Sequence, residues 1–126
     1  MPFFIIAGAV NAALAVALGA FGAHALKEKL SEHYLAIWET AVQYQMFHAL
    51  GLIAVGILMS SSLLGPSTQL SWAGYLLLAG IIIFSGSLYA LSLSGVGILG
   101  AITPIGGVAF IVGWVMLIIA AAKFGK

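Results

Sequence analysis

Glu39-Thr40-Ala41-Val42-Gln43-Tyr44-Gln45-Met46-Phe47-His48 runs directly into Ala49 to Met59, a stretch that carries no charge. On a helix, residues three and four apart share a face. Thr40, Tyr44 and His48 therefore stack in one column, and Glu39 with Gln43 makes a neighbouring one. Gln45 stands one helical step from His48. A polar ladder thus enters bilayer-type sequence, where polar groups must find a partner or face a cavity.

The composition sets the class. Of 126 residues, 63% are hydrophobic and 6% charged, and the mean hydropathy is +1.23. A soluble domain carries about 25% charged residues, so this chain cannot cover a water-facing surface. It reads as an integral membrane protein of one domain. A net charge of +1 excludes a basic nucleic-acid-binding face. The absence of cysteine excludes disulfides and thiol chemistry.

Outward from the ladder, Met1 to Leu26 is apolar apart from Asn11 and His24. A hydrocarbon core of roughly 30 Å needs about 20 helical residues, which makes residues 3–26 the first span. Ala23-His24-Ala25 resembles a signal-peptide cleavage site, but no Lys or Arg precedes the apolar run and the run is too long. The reading is a retained span. Gly8, Ala12, Ala15, Gly19 and Gly22 recur at steps of four and three, a seam of small side chains that lets another helix approach closely.

Lys27 to Glu39 holds five of the seven charged residues. Ser31 suits an N-cap, with Glu32 favoured by the helix dipole. Tyr34, Ile37, Trp38 and Ala41 then form an amphipathic start over 31–41, with Tyr34 and Trp38 at headgroup level. This piece either lies along the surface or projects as the start of one long helix. No Gly or Pro breaks Ser31 to Leu50, which favours the long helix. Spans two, three and four are expected at about 42–60, 70–93 and 103–122. Gly65-Pro66 and Ser94-Gly95 are the breakers. Trp72, Tyr75 and Tyr89 would form an aromatic belt. Gly106, Gly107 and Gly113 give span four a second thin face, and Lys123 and Lys126 end it. Lys27 and Lys29 balance that pair, so the positive-inside rule ties. The three glutamates of the first loop tip the reading toward both termini inside.

Four phrases accumulate, one per span: Gly19-Ala20-Phe21-Gly22-Ala23-His24, Tyr44-Gln45-Met46-Phe47-His48, Phe84-Ser85-Gly86-Ser87-Leu88-Tyr89, and Thr103-Pro104-Ile105-Gly106-Gly107 followed by Gly113-Trp114. In this order they resemble the YwdK-type family of small bacterial membrane proteins, a domain-of-unknown-function family. The resemblance implies a four-helix protein of the cell membrane. It carries no catalytic role onto any residue.

The candidate polar cluster is Asn11, His24, Glu39, Tyr44, Gln45, His48, Ser85 and Ser87. An antiparallel hairpin of spans one and two pairs positions whose numbers sum to about 58, by the common rise per residue. His48 then lies level with Asn11, and a buried Asn11–His48 hydrogen bond is expected, with Gln45 or Tyr44 nearby. Such a bond either fixes helix register or serves a proton or solute relay. No two histidines have the helical zinc spacing, so no metal or other cofactor is expected. Glu39 and Gln43 read as a solvated headgroup-level face. Ser85 and Ser87 are expected to bond back along their own helix, and no base at their depth in the same span suggests a nucleophile. Thr103-Pro104 is expected to cap span four.

The expected fold is an all-α integral membrane four-helix bundle, up-down with short turns. The leading function is a structural or accessory membrane protein that works through helix contacts, in lipid, as a homo-oligomer or with another membrane protein. The alternative is a small-solute or proton pathway lined by Asn11, Gln45, His48, Ser85 and Ser87, and no catalytic constellation is evident.

Overall fold

The structure is a computed structural model that describes residues 2–124; Lys126 lies outside them. The fold is all-α. Helix α1 (Phe3–Phe21) continues through a π turn, Gly22–Leu26. After a turn at residues 27–31, helix α2 (Glu32–Leu58) runs as one unbroken helix. Helices α3 (Thr68–Gly80) and α4 (Gly86–Ser94) form one rod joined by a second π turn, Ile81–Ser85. Helix α5 (Leu99–Phe124) completes the up-down bundle. All four rods are long and apolar enough to cross a membrane.

Local chemistry sets the ends. Ser31 caps α2, its Oγ accepting from the Tyr34 backbone N–H at 3.2 Å. Ser67 caps α3 in the same way, accepting from Leu70 at 3.1 Å. Each satisfies one of the donors that a helix start leaves open. Gly95, at φ 70°, closes α4 in the left-handed conformation that glycine adopts without penalty. The fourth rod begins at Leu99, four residues before the expected start. Thr103 is therefore not a cap, and Pro104 lies inside the helix.

Helix α1 packs on α2, and α5 packs on the α3–α4 rod, with α2 and that rod between them. The core comprises Phe4, Leu52, Val55, Leu70, Ala73, Leu77, Ile81 and Phe110. Within the small-residue seam, Gly8, Ala15 and Gly22 are buried and Ala12 and Gly19 half-buried. A Cβ on Gly8 would stand 2.6 Å from the Ala49 carbonyl oxygen, and one on Gly19 would touch Val42. The seam faces α2. On α5, Gly106 and Gly113 are buried and Gly107 is half-buried.

The closest approach of a glycine to another rod's backbone is between α5 and the second π turn, where a Cβ on Gly106 would collide with the backbone nitrogen of Phe84. Gly107, one residue on, has only the Phe84 ring near, at 3.9 Å. Backbone cannot move aside as a side-chain tip can. Gly106→Ala is expected to destabilise by about 1–3 kcal/mol, as overpacking does, with Gly107→Ala close to neutral. Thermal unfolding of the two variants in detergent micelles measures the contrast.

Candidate functional site

The polar residues of the membrane interior fall into separate hydrogen-bonded groups, each of which joins rods. The largest is centred on Gln45. Its Nε2 donates to Asn11 Oδ1 at 3.1 Å, and its Oε1 accepts from the Tyr89 hydroxyl at 2.7 Å. Asn11 Nδ2 in turn donates to the Ala7 carbonyl at 2.9 Å. One carboxamide therefore ties α1, α2 and α4 together. Gln45 is buried and Asn11 and Tyr89 half-buried, so these bonds form where water cannot replace them.

The expected Asn11–His48 bond is not formed. Equal depth was correctly read from the rise per residue, but depth does not fix azimuth. His48 lies three residues beyond Gln45, about 60° round the helix, and faces α5 instead of α1. Its Nδ1 lies 2.8 Å from the Tyr44 carbonyl oxygen. A carbonyl only accepts, so Nδ1 carries the proton. That leaves Nε2 to accept from Trp114 Nε1 at 3.1 Å. The His48 ring also stacks on Phe110, with centroids 3.5 Å apart and planes at 14°. Tyr44 contributes its carbonyl and a ring packed on Phe84.

The serines point across the bundle. Ser85 Oγ donates to the Ala41 carbonyl of α2 at 2.8 Å, not to its own helix as expected. Ser87 shares a hydrogen bond with Thr103 of α5 and also donates back to Phe84. Two residues along a helix are about 200° apart, which is why these neighbours reach opposite rods. Among the described residues, no buried side-chain nitrogen or oxygen lacks a partner.

Four members escaped the sequence reading, Thr103 among them, since it was expected only as a cap. Trp38 was placed at headgroup level but is 3% exposed. Its Nε1 donates to the Leu18 carbonyl at 2.9 Å, and its ring fills the space above Gly22. Tyr89 and Trp114 also act as cross-helix donors. Their signal was an indole N–H or phenol O–H, a donor that needs an acceptor once the ring is packed inside a bundle. His24 and Glu39 are exposed and belong to none of these groups. Among the described residues, no three of His, Asp or Glu come together as a metal site would require.

A cleft of about 470 Å³ opens over His48 between α2 and α5, lined by Gln43, Tyr44, Phe47, His48 and Trp114. A narrower groove of about 340 Å³, lined in part by Gly19, Ala23, Glu39 and Gln43, lies between α1 and α2.

Four apolar rods clamped by internally satisfied polar groups define a multi-pass membrane protein. Comparison with known sequences supports the same class. A family described as "Protein of unknown function (DUF423)" matches residues 18–107, and the chain belongs to this family. A UPF0382 membrane protein of Staphylococcus aureus (strain bovine RF122 / ET3-1) is 56% identical over 124 residues, covering 98% of each chain. UPF0382 membrane protein YwdK of Bacillus subtilis (strain 168) is 55% identical over 124 residues, covering 98% of this chain and 99% of its own. The resemblance read from the four phrases is therefore borne out. No solved structure matches the chain.

Interhelical hydrogen bonds in membranes contribute about 0.6–2 kcal/mol each. Gln45→Leu removes two of them and is expected to cost more than Tyr89→Phe, which removes one. In a double-mutant cycle, adding Tyr89→Phe to Gln45→Leu should cost little more. Reversible unfolding in mixed micelles reads all three.

Proposed function

We propose that this protein acts as a helix-contact scaffold, an accessory membrane protein whose function lies in the surfaces it holds rigid. The supporting observation is the division of its interior polar residues. Asn11–Gln45–Tyr89, His48–Trp114, Ser85–Ala41 and Ser87–Thr103 are separate closed groups, each fastening one rod to another. Such bonds are the glue of membrane bundles. A conduit instead needs polar groups free to hand a proton or solute onward.

The cleft over His48 is the one feature that favours a proton or small-solute pathway. Its walls are largely the aromatic rings of Tyr44, Phe47 and Trp114. Trp114 occupies the Nε2 lone pair that a relay would need. On the same grounds we read the chain as non-enzymatic: among the described residues, Ser85 and Ser87 hydrogen-bond carbonyl and hydroxyl oxygens and not a basic side chain.

The reading places the protein in the cell membrane with both termini in the cytoplasm. The even number of rods puts the termini on one side, and the charge pattern of the first loop favours the inside. A reporter active only in the cytoplasm, fused at either end, should be active in both fusions; inactivity in both would invert the topology.

Purified protein in sealed vesicles with a trapped pH dye provides the main test. Wild-type protein and the His48→Phe variant should both leave the proton leak at the level of protein-free vesicles. A wild-type leak that His48→Phe abolishes would replace the scaffold with a proton pathway.

A further inference from the structure

Helix α2 carries a stripe that no other rod covers. Glu39, Gln43, Phe47, Leu50, Ala54 and Ile57 are all exposed, at steps of four and three that keep them on one face. The groove toward α1 and the cleft toward α5 flank this stripe. Gln43 lines both and so forms the crest between them.

The depth of Gln43 makes this crest chemically unusual. Gln43 lies two residues from the midpoint of the Glu32–Leu58 rod, about 3 Å along the axis. A stretch of about 20 residues crosses the hydrocarbon, and wherever such a stretch is placed within that rod it includes Gln43. Among the described residues, Gln45 bonds Asn11 and Tyr89, His48 bonds Tyr44 and Trp114, and nothing bonds the Gln43 carboxamide. An amide facing acyl chains leaves two donors and an acceptor unsatisfied, and lipid supplies neither.

We propose that this face is the contact between two copies of the chain, packed about a twofold axis along the membrane normal with their Gln43 carboxamides bonded to one another. The proposal rests on the scaffold reading and names its partner. A second copy is the occupant that the chemistry selects. A carboxamide carries both donor and acceptor, so two identical ones satisfy each other. A parallel twofold arrangement places them at the same depth without further adjustment. A crest between two grooves also has the shape that receives an identical crest alongside. Phe47, 60% exposed, stands one turn from Gln43 and adds apolar contact on the same face. A crossing at Gln43 lets the two helices splay toward Glu39, so that the like charges separate and reach the headgroup layer.

The chain has no cysteine, so single introduced thiols report contacts cleanly. Phe47→Cys tests the proposed face. Ile82→Cys and Ile118→Cys, both 65% exposed on other rods, are controls. In dilute phosphatidylcholine–phosphatidylglycerol vesicles under mild oxidant, the Phe47→Cys protein should form disulfide-linked dimers roughly tenfold faster than either control, because association raises the effective thiol concentration. Adding Gln43→Leu, which breaks no side-chain hydrogen bond among the described residues, should lower the Phe47→Cys rate by roughly tenfold through loss of the two carboxamide hydrogen bonds. Adding Gln43→Asn should restore part of it. Equal rates at all three thiols, or a Phe47→Cys rate unchanged by Gln43→Leu, would overturn the dimer. The vesicle proton-leak measurement is independent of this one. A non-conducting chain that fails to cross-link refutes the dimer alone, whereas a His48-dependent leak refutes the scaffold reading whatever the thiols show.

Discussion

The constraint that governs this molecule is the inability of lipid to hydrogen-bond. Backbone groups meet it by forming helices. Side chains meet it through partners on neighbouring rods, and Gln45 is the clearest case. Its carboxamide sits near the middle of α2 and uses its nitrogen toward α1 and its oxygen toward α4. No other polar side chain in the described interior spans three rods. Ser85 with Ala41, Ser87 with Thr103, and Trp114 with His48 repeat the arrangement pairwise. These groups sit where the alternative, an unpaired polar atom in hydrocarbon, costs several kcal/mol (~2–7).

Hydrogen bonds of about 3 Å demand that helices approach closely, and small residues supply that approach. Gly8 and Gly22 let α1 settle onto α2, with the Trp38 ring occupying the space beside Gly22. Gly106 does the same for α5 against the π turn at Phe84, bringing α5 close enough for Thr103 to reach Ser87. The polar clamps and the thin helix faces are thus one device. Thr103 with Gly106 on one rod, and Ser87 with Phe84 on the other, show the pairing directly. Replacing either element would strand the other.

The fold was largely legible because hydropathy and helical periodicity are properties of a single strand of sequence. The absence of charge after His48, the Gly65-Pro66 and Ser94-Gly95 breaks, and the repeat from Gly8 to Gly22 each carry their meaning locally. The site was legible in membership more than in pairing. Asn11, Gln45, His48, Ser85 and Ser87 all proved to be internal polar groups, but only packing could say which meets which. The rise per residue set Asn11 and His48 at one level, while the azimuth that turned His48 toward Trp114 depended on where α5 lies. Trp38 and Tyr89 were hidden by a rule that is correct on average. Amphipathic aromatics collect at headgroups unless an acceptor on a neighbouring rod, as Leu18 is for Trp38 and Gln45 for Tyr89, takes the donor end within the bundle.

The same constraint separates two kinds of polar residue in α2. Those facing the bundle, Gln45 and His48, are buried and hydrogen-bonded to other rods. Gln43, two residues before Gln45, is turned outward by about 200° and has no rod to meet. If the interior glutamine is held in place because lipid offers it nothing, the exterior one at nearly the same depth is subject to the same demand. A bundle of four rods leaves that demand open on one face, where α1 and α5 stand apart on either side of α2. In the proposed dimer, the polar group that completes this surface is the Gln43 carboxamide of a second copy.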